Sequence, residues 1–156
     1  MRGSSTLRPE SAVSDDGFTI VEEIVAPGDP ESHYHLVDYQ TQELVSTLWS
    51  AYLAKARDGL PASPVNPAMR RVSYSLDSEC APGDRLKREI RVVSRSRRAC
   101  TFEARLSHAD DGRVIHAAEM VTVFVDPERG AVEIPADFWA AVERMEGRSI
   151  PAPESA

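Results

Sequence analysis

"DYQTQELVSTLWSAYLAKARDG", residues 38 to 59, is the stretch on which the fold turns. Leu44, Val45, Leu48, Trp49, Tyr52, Leu53 and Ala56 recur at helical spacing and predict one apolar stripe along a long helix. Asp38 is placed to cap its start, Lys55 and Arg57 suit the negative end of the helix dipole, and Gly59 supplies the exit. The following "GLPASPVNPAM", with three prolines, cannot continue the helix and reads as a loop.

Beyond that loop the apolar period changes from about 3.6 to 2. In "RVSYSLDSEC" Val72, Tyr74, Leu76 and Cys80 share one face. In "DRLKREIRVVS" Leu86, Ile90 and Val92 oppose Arg85, Lys87, Glu89 and Arg91, and in "ACTFEARL" Cys100, Phe102, Ala104 and Leu106 oppose Thr101, Glu103 and Arg105. These patterns predict half-buried antiparallel strands. The turn "ADDGR" leads into "VIHAAEMVTVFV", apolar on both faces apart from His116, Glu119 and Thr122, which belongs at the centre of a sheet or at a subunit interface. "PADFWAAVERM" predicts a short last helix that turns Phe138, Trp139, Val142 and Met145 inward. On the N-terminal side, "FTIVEEIV" reads as a strand that stops at the turn "APGDP".

The resulting order is strand, long helix, four antiparallel strands, short helix, an α+β layer architecture. At 156 residues the chain has room for one domain, placed at residues 17–147. Residues 1–16 and 148–156, rich in Ser, Pro and charge, read as flexible tails. The N-terminus lacks the apolar segment of a secretory signal, and no apolar run reaches the roughly 18 to 20 residues that cross a bilayer, so a cytoplasmic protein without a membrane partner is expected. Cys80 and Cys100 have no metal-ligand spacing and read as small buried side chains. A net charge of -7 argues against nucleic acid, yet ten of the eighteen basic residues crowd between Arg70 and Arg105 and call for a partner.

The segment "CAPGDRLKREIRVVSRSRRACTFEARLSHADDGRVIHAAEMVTVFVDPERGAVEIP" carries an ordered succession of small signals. Gly83 and Asp84 introduce a strand, Ser96 lies in the next turn, and Asp111 and Gly112 form a hairpin. Ala117 and Ala118 sit in an apolar strand that ends in Val125 and Asp126, before a helix led by Pro135. With the long helix, this succession resembles the hotdog-fold acyl thioesterases of the 4-hydroxybenzoyl-CoA thioesterase type over residues 18 to 146. The resemblance implies a hotdog fold, in which a long central helix is wrapped by a curved antiparallel sheet with a short C-terminal helix. It further implies a homodimer or homotetramer with acyl-thioester sites at subunit interfaces. The substrate would be an acyl-CoA or an acyl carrier protein thioester, with CoA or phosphopantetheine entering as part of it and no separate cofactor or metal.

The site segment of that family runs from an Asp through a Gly-His-Val-Asn-Asn type loop to a Tyr near the helix start. Asp29 takes the place of the Asp and His33 or His35 that of the His, whereas Ser32 or Tyr34 stands for the Gly, and Leu36 and Val37 replace the Asn pair. Other branches of the fold place the carboxylate inside the helix, where Glu43 is the match.

Thioester hydrolysis needs an activated water or a nucleophile, and donors for the oxygen that becomes negative. The free N–H groups at a helix start are such donors. Asp29 or Glu43 is thus the candidate base or nucleophile, His33 or His35 the candidate donor, and Asp38, Tyr39 and Gln40 the segment that meets the substrate. Each has a plainer reading: Asp29 between Gly28 and Pro30 suits a turn, and Asp38 suits a cap. His33 and His35 also make a His-x-His pair, but Tyr39 and Gln40 stand where a further metal ligand would be needed. His108 and His116 read as hairpin-end and strand residues without catalytic duty. Arg95, Arg97 and Arg98, clustered at a turn, are the candidates for the phosphates of CoA or an acidic carrier protein, against the plainer reading of a solvated strand face. Two other functions remain open: a hydratase or dehydratase of 3-hydroxyacyl thioesters, and a non-catalytic acyl-binding protein. The Gly-His-Phe-Pro-Gly loop of fatty-acid dehydratases is not present in the sequence.

Overall fold

Strand β1 (Thr6–Leu7) is followed by β2 (Ile20–Val25), helix α1 (Asp38–Arg57), and strands β3 (Asn66–Leu76), β4 (Arg85–Arg95), β5 (Ala99–His108), β6 (Val114–Asp126) and β7 (Gly130–Val132). Helix α2 (Ala136–Glu146) closes the succession. The computed structural model describes residues 6–7 and 17–152. Residues 1–5 and 8–16 of the expected N-terminal tail and 153–156 of the C-terminal one therefore lie outside the described residues.

All neighbouring strands pair antiparallel, in the order β1-β2-β4-β5-β6-β3, with β7 on β6. The continuously apolar β6 sits between β5 and β3, as its composition predicted. The ladder slips by one residue between Val92 and Ser94 in β4 and between Met69 and Arg71 in β3. Such bulges sharpen local twist and bend a sheet.

The concave face of the sheet holds α1. Thr41, Val45, Leu48, Tyr52, Leu53 and Ala56 are the buried helix positions. They meet Leu86, Ile90 and Val92 of β4, Phe102, Ala104 and Leu106 of β5, and Ala118, Met120 and Phe124 of β6 in one core cluster. Full burial of each large apolar side chain contributes about 1.5–3 kcal/mol, so this layer is the principal source of stability. Phe138, Trp139 and Val142 of α2 close one end of it. Packing continues past α2: Ile150 is buried, and the Pro151 carbonyl accepts the Arg95 N–H at 3.0 Å. Cys80 and Cys100 are free and buried.

Three details differ from the sequence reading. The cap of α1 is Val37, in extended conformation, and Asp38 is already helical. Gln40 Oε1 accepts the Val37 N–H at 2.9 Å, the back-reaching half of a capping box, in which the third helical residue satisfies the cap residue's own donor. Strand β3 begins at Asn66, within the predicted loop. Its prolines do not prevent this, because Pro67 lies on an edge strand with a free side. Finally, Tyr74 and Leu76 are 43% and 54% exposed, where alternation predicted a covered face. An edge strand has a neighbour on one side only, so period 2 set their direction without supplying a cover.

Candidate active site

The loop between β2 and α1 is pinned to the turn between β3 and β4. Ala26 N–H donates to the Asp84 carbonyl at 2.8 Å, Gly83 N–H to the Ala26 carbonyl at 2.9 Å, and Leu36 N–H to the Cys80 carbonyl at 2.8 Å. Gly83 has φ +90°, and a Cβ there would lie 3.0 Å from Pro30 Cβ. Backbone conformation and proximity thus both call for glycine in the "GD" turn.

These ties bring the loop and the start of α1 against the residues that follow β3. A hollow of about 560 Å³ results, lined by His35, Leu36, Val37, Asp38, Thr41, Leu76, Asp77, Ser78, Glu79 and Ile115. It combines apolar wall with three carboxylates, one imidazole and the first turn of a 20-residue helix. His35 Nδ1 lies 3.0 Å from Glu79 Oε2, and the Glu79 carbonyl is 2.9 Å from His108 Nε2.

Asp38 is held from several directions. Its Oδ1 accepts the Tyr39 N–H at 2.9 Å and its Oδ2 the Tyr74 hydroxyl at 3.0 Å. Its backbone carbonyl accepts the Thr41 hydroxyl at 3.0 Å. Behind this wall His116 is fully buried. Its Nδ1 lies 2.9 Å from Thr41 Oγ1, its Nε2 lies 2.8 Å from Gln42 Oε1, and its ring stacks on Tyr74 at 4.8 Å and 11°. Burial holds the His116 pKa below its ordinary value, against the opposing pull of Asp38 and Asp77. The Tyr74 phenol is pushed up by its hydrogen bond to Asp38 and by that residue's charge.

The residues singled out from sequence divide. His35 and Asp38 line the hollow. Asp29 stays on the exposed loop, where its Oδ1 accepts the Glu31 N–H at 3.0 Å as a turn residue does. His33 is exposed on the same loop, Tyr39 is 70% exposed, Gln40 caps the helix, and Glu43 is exposed on α1. Glu43 lies five residues beyond Asp38, roughly 140° around the helix at about 100° per residue. Tyr74, Glu79 and His116 were not singled out as site residues. The signal for His116 was present: it occupies the inward series of β6 with Ala118, Met120, Thr122 and Phe124, where an imidazole needs polar partners.

The basic excess finds most of its partners within the chain. Arg88 pairs with Glu22, Arg105 with Glu89 at 2.9 Å, Arg91 with Glu103 at 3.0 Å, and Arg85 with Glu23 and Asp110. Arg97 pairs with Glu133 at 3.0 Å, while Arg95 lies 3.5 Å from Glu143 and 4.5 Å from the Trp139 ring centroid. Arg98 is exposed. This turn is at the opposite end of the β4–β5 hairpin from the His108 end near the hollow, roughly 30 Å away at about 3.3 Å per residue. Within one subunit, therefore, the arginines and the hollow are not brought together.

Among the described residues, no group of three or more His, Cys, Asp and Glu side chains is arranged to hold a metal. No helix among them is long and apolar enough to cross a membrane.

A sequence profile of the thioesterase-like superfamily matches residues 33–142. The chain belongs to the thioesterase-like superfamily. The matched region includes the helix, the hollow and the four long strands, and the fold is that of its hotdog members. Solved thioesterase-fold structures agree with it at low identity. A 1,4-dihydroxy-2-naphthoyl-CoA thioesterase from Synechocystis has a TM-score of 0.66 at 14% identity, over 78% of this chain and 93% of its own. A Thermus thermophilus thioesterase determined with coenzyme A and zinc has 0.70 at 16% identity, over 86% and 99%. A Staphylococcus aureus protein determined with CoA has 0.70 at 14%, over 86% and 89%. Comparison with curated protein sequences gives no match.

Proposed function

We propose that this superfamily member hydrolyses an acyl thioester of CoA or of a phosphopantetheine-bearing carrier protein in the hollow at the start of α1. The observation that carries this reading is Asp38: a carboxylate at the first helical residue, lining the hollow and held by Tyr39 and Tyr74. In this reading the thioester carbonyl meets the start of α1, where the positive end of the helix dipole stabilises its oxygen as negative charge develops. The Asp38 carboxylate takes a proton from a water whose oxygen bonds to the carbonyl carbon. Collapse of the tetrahedral intermediate breaks the C–S bond, and the thiolate leaves with the proton that Asp38 returns. His35, which meets Glu79 through Nδ1, would hydrogen-bond the substrate through Nε2.

This assigns the base to Asp38, which lines the hollow, in preference to Asp29 or Glu43, which in one subunit do not line it. The acyl chain would lie against Leu36, Leu76 and Ile115. A homodimer fits the exposed apolar set Tyr34, Val37, Tyr39, Tyr74 and Leu76 near the hollow and along the β3 edge. Only a neighbouring subunit could bring Arg98 to a substrate in this hollow, and its phosphate role rests on such an assembly.

The test is thiol release from short, long and aromatic acyl-CoA thioesters and from acyl carrier protein thioesters, in wild type and Asp38→Asn. Release by the wild type, reduced at least a hundredfold in the variant, supports the reading. Loss of enoyl absorbance without thiol release would instead establish a hydratase.

A further inference from the structure

His116 is fully buried in an apolar layer, and the hydrolytic reading above gives it no task. A buried imidazole needs partners for both ring nitrogens, since a polar group left unsatisfied away from water is destabilising. Gln42 and Thr41 supply them at 2.8 and 2.9 Å. Core satisfaction alone would be complete at that point. Yet two separate contacts of the ring end on the same residue. Through its face, His116 stacks on Tyr74, whose hydroxyl donates to Asp38 Oδ2 at 3.0 Å. Through Nδ1 it meets the Thr41 hydroxyl, which lies 3.0 Å from the Asp38 carbonyl. Asp38 is thus gripped at its carboxylate and its backbone by two groups that rest on one imidazole.

We propose that His116 is a positioning residue for Asp38, acting through Tyr74 on the carboxylate and through Thr41 on the first turn of α1. The proposal rests on the thioesterase reading and concerns which groups hold its base. With the proton assigned to Nε2 by the Gln42 oxygen it faces, Nδ1 accepts from Thr41, whose single proton is shared with the Asp38 carbonyl. Protonation turns Nδ1 into a donor, commits the Thr41 proton to Asp38, and places a positive charge behind the site. A cation there makes a nearby carboxylate a poorer proton acceptor. The charged groups acting on the ring are Asp38 of α1 and Asp77 just beyond β3, and Tyr74 is the titratable group stacked on it. Across the strand pairs, β5 presents Leu106 and β3 presents Leu76. Burial outweighs the two acidic residues and keeps the ring neutral near pH 7.

The experiment compares kcat and KM for an acyl-CoA that the wild type hydrolyses, in Tyr74→Phe, His116→Gln and the double variant, from pH 5 to 8. Tyr74 is partly exposed on an edge strand, so its variant keeps the fold if His116→Gln does not. Each single variant should lose tenfold or more in kcat with KM changed less than about threefold, the signature of a base displaced from its working position. The double variant should lose little more than the worse single one, because both act through one carboxylate. Wild-type kcat should also fall as His116 gains its proton, on an acid limb displaced below the ordinary imidazole range, and His116→Gln should lack that limb. Full turnover in Tyr74→Phe, or losses that simply multiply, overturns the proposal and leaves the thioesterase reading standing. Absence of thiol release by the wild type from every substrate overturns both.

Discussion

The hydroxyl of Tyr52 donates to Glu146 Oε2 at 2.7 Å inside the core, and the same carboxylate oxygen accepts the Val92 N–H at 3.0 Å. One carboxylate thereby joins α1, α2 and β4, with Arg148 lying 3.4 Å from its other oxygen. Burial, then the nearby Glu146 charge, pushes the Tyr52 phenol far above its usual range, so Tyr52 remains a donor at any working pH. Tyr52→Phe removes one partner and leaves Glu146 under-satisfied. A loss of about 1–3 kcal/mol is expected in urea unfolding. An unchanged midpoint would show that the bond contributes nothing net.

Asp38→Asn should separate the site from its rivals. It keeps size and one acceptor oxygen but cannot take a proton, so turnover should fall by about 10²–10⁴, the typical range for a positioned base. Asp29→Asn and Glu43→Gln should each cost less than tenfold. A large loss in Glu43→Gln with little in Asp38→Asn would move the base to the exposed face of α1.

Leu76 is 54% exposed on the free edge of β3, beside Tyr74. If that edge is a subunit interface, Leu76→Lys should shift the protein toward monomer in sedimentation velocity and lower thioesterase activity with it. A monomeric wild type would remove the dimer from the proposal.

Both thiols should be silent in the native protein. Burial, helped by the Asp84 carboxylate, pushes the Cys80 thiol up to about 11, and burial pushes Cys100 higher still. An aromatic disulfide reagent at pH 8 should find no fast-reacting thiol until denaturant is added, and then two. Rapid native labelling would show that the Cys80 turn opens readily.

His116 also sets a slope in stability. Its folded pKa lies below the unfolded value, so from about pH 6.5 downward the unfolded chain binds a proton that the native chain does not. Stability is therefore unaffected above that window and falls with decreasing pH within it, until the native ring is protonated too. Unfolding of His116→Gln should show a shallower slope across pH 5 to 6.5, and an equal slope would place the titration elsewhere.

The stripe from Val45 to Ala56 and the alternation in β4, β5 and β6 were legible because helix and strand periods fix which side chains share a face. The ordered turns at Gly83, Asp111 and Pro135 carried the resemblance to the family for the same local reason. The loop residues Asp29 and His33 drew attention by composition, but composition does not say what a side chain points at.

What the sequence determined by itself was the order of the main elements, the buried faces of α1, β4, β5, β6 and α2, and the superfamily, all of which depend on residues near one another in the chain. What only the tertiary structure decided was the convergence on Asp38. Tyr74 is 36 residues away and His116 is 75 residues from Thr41, and these distances are closed by antiparallel register and by the helix lying across the sheet. A hydrogen bond needs its partners within about 3 Å, a condition that local periodicity cannot impose across such separations.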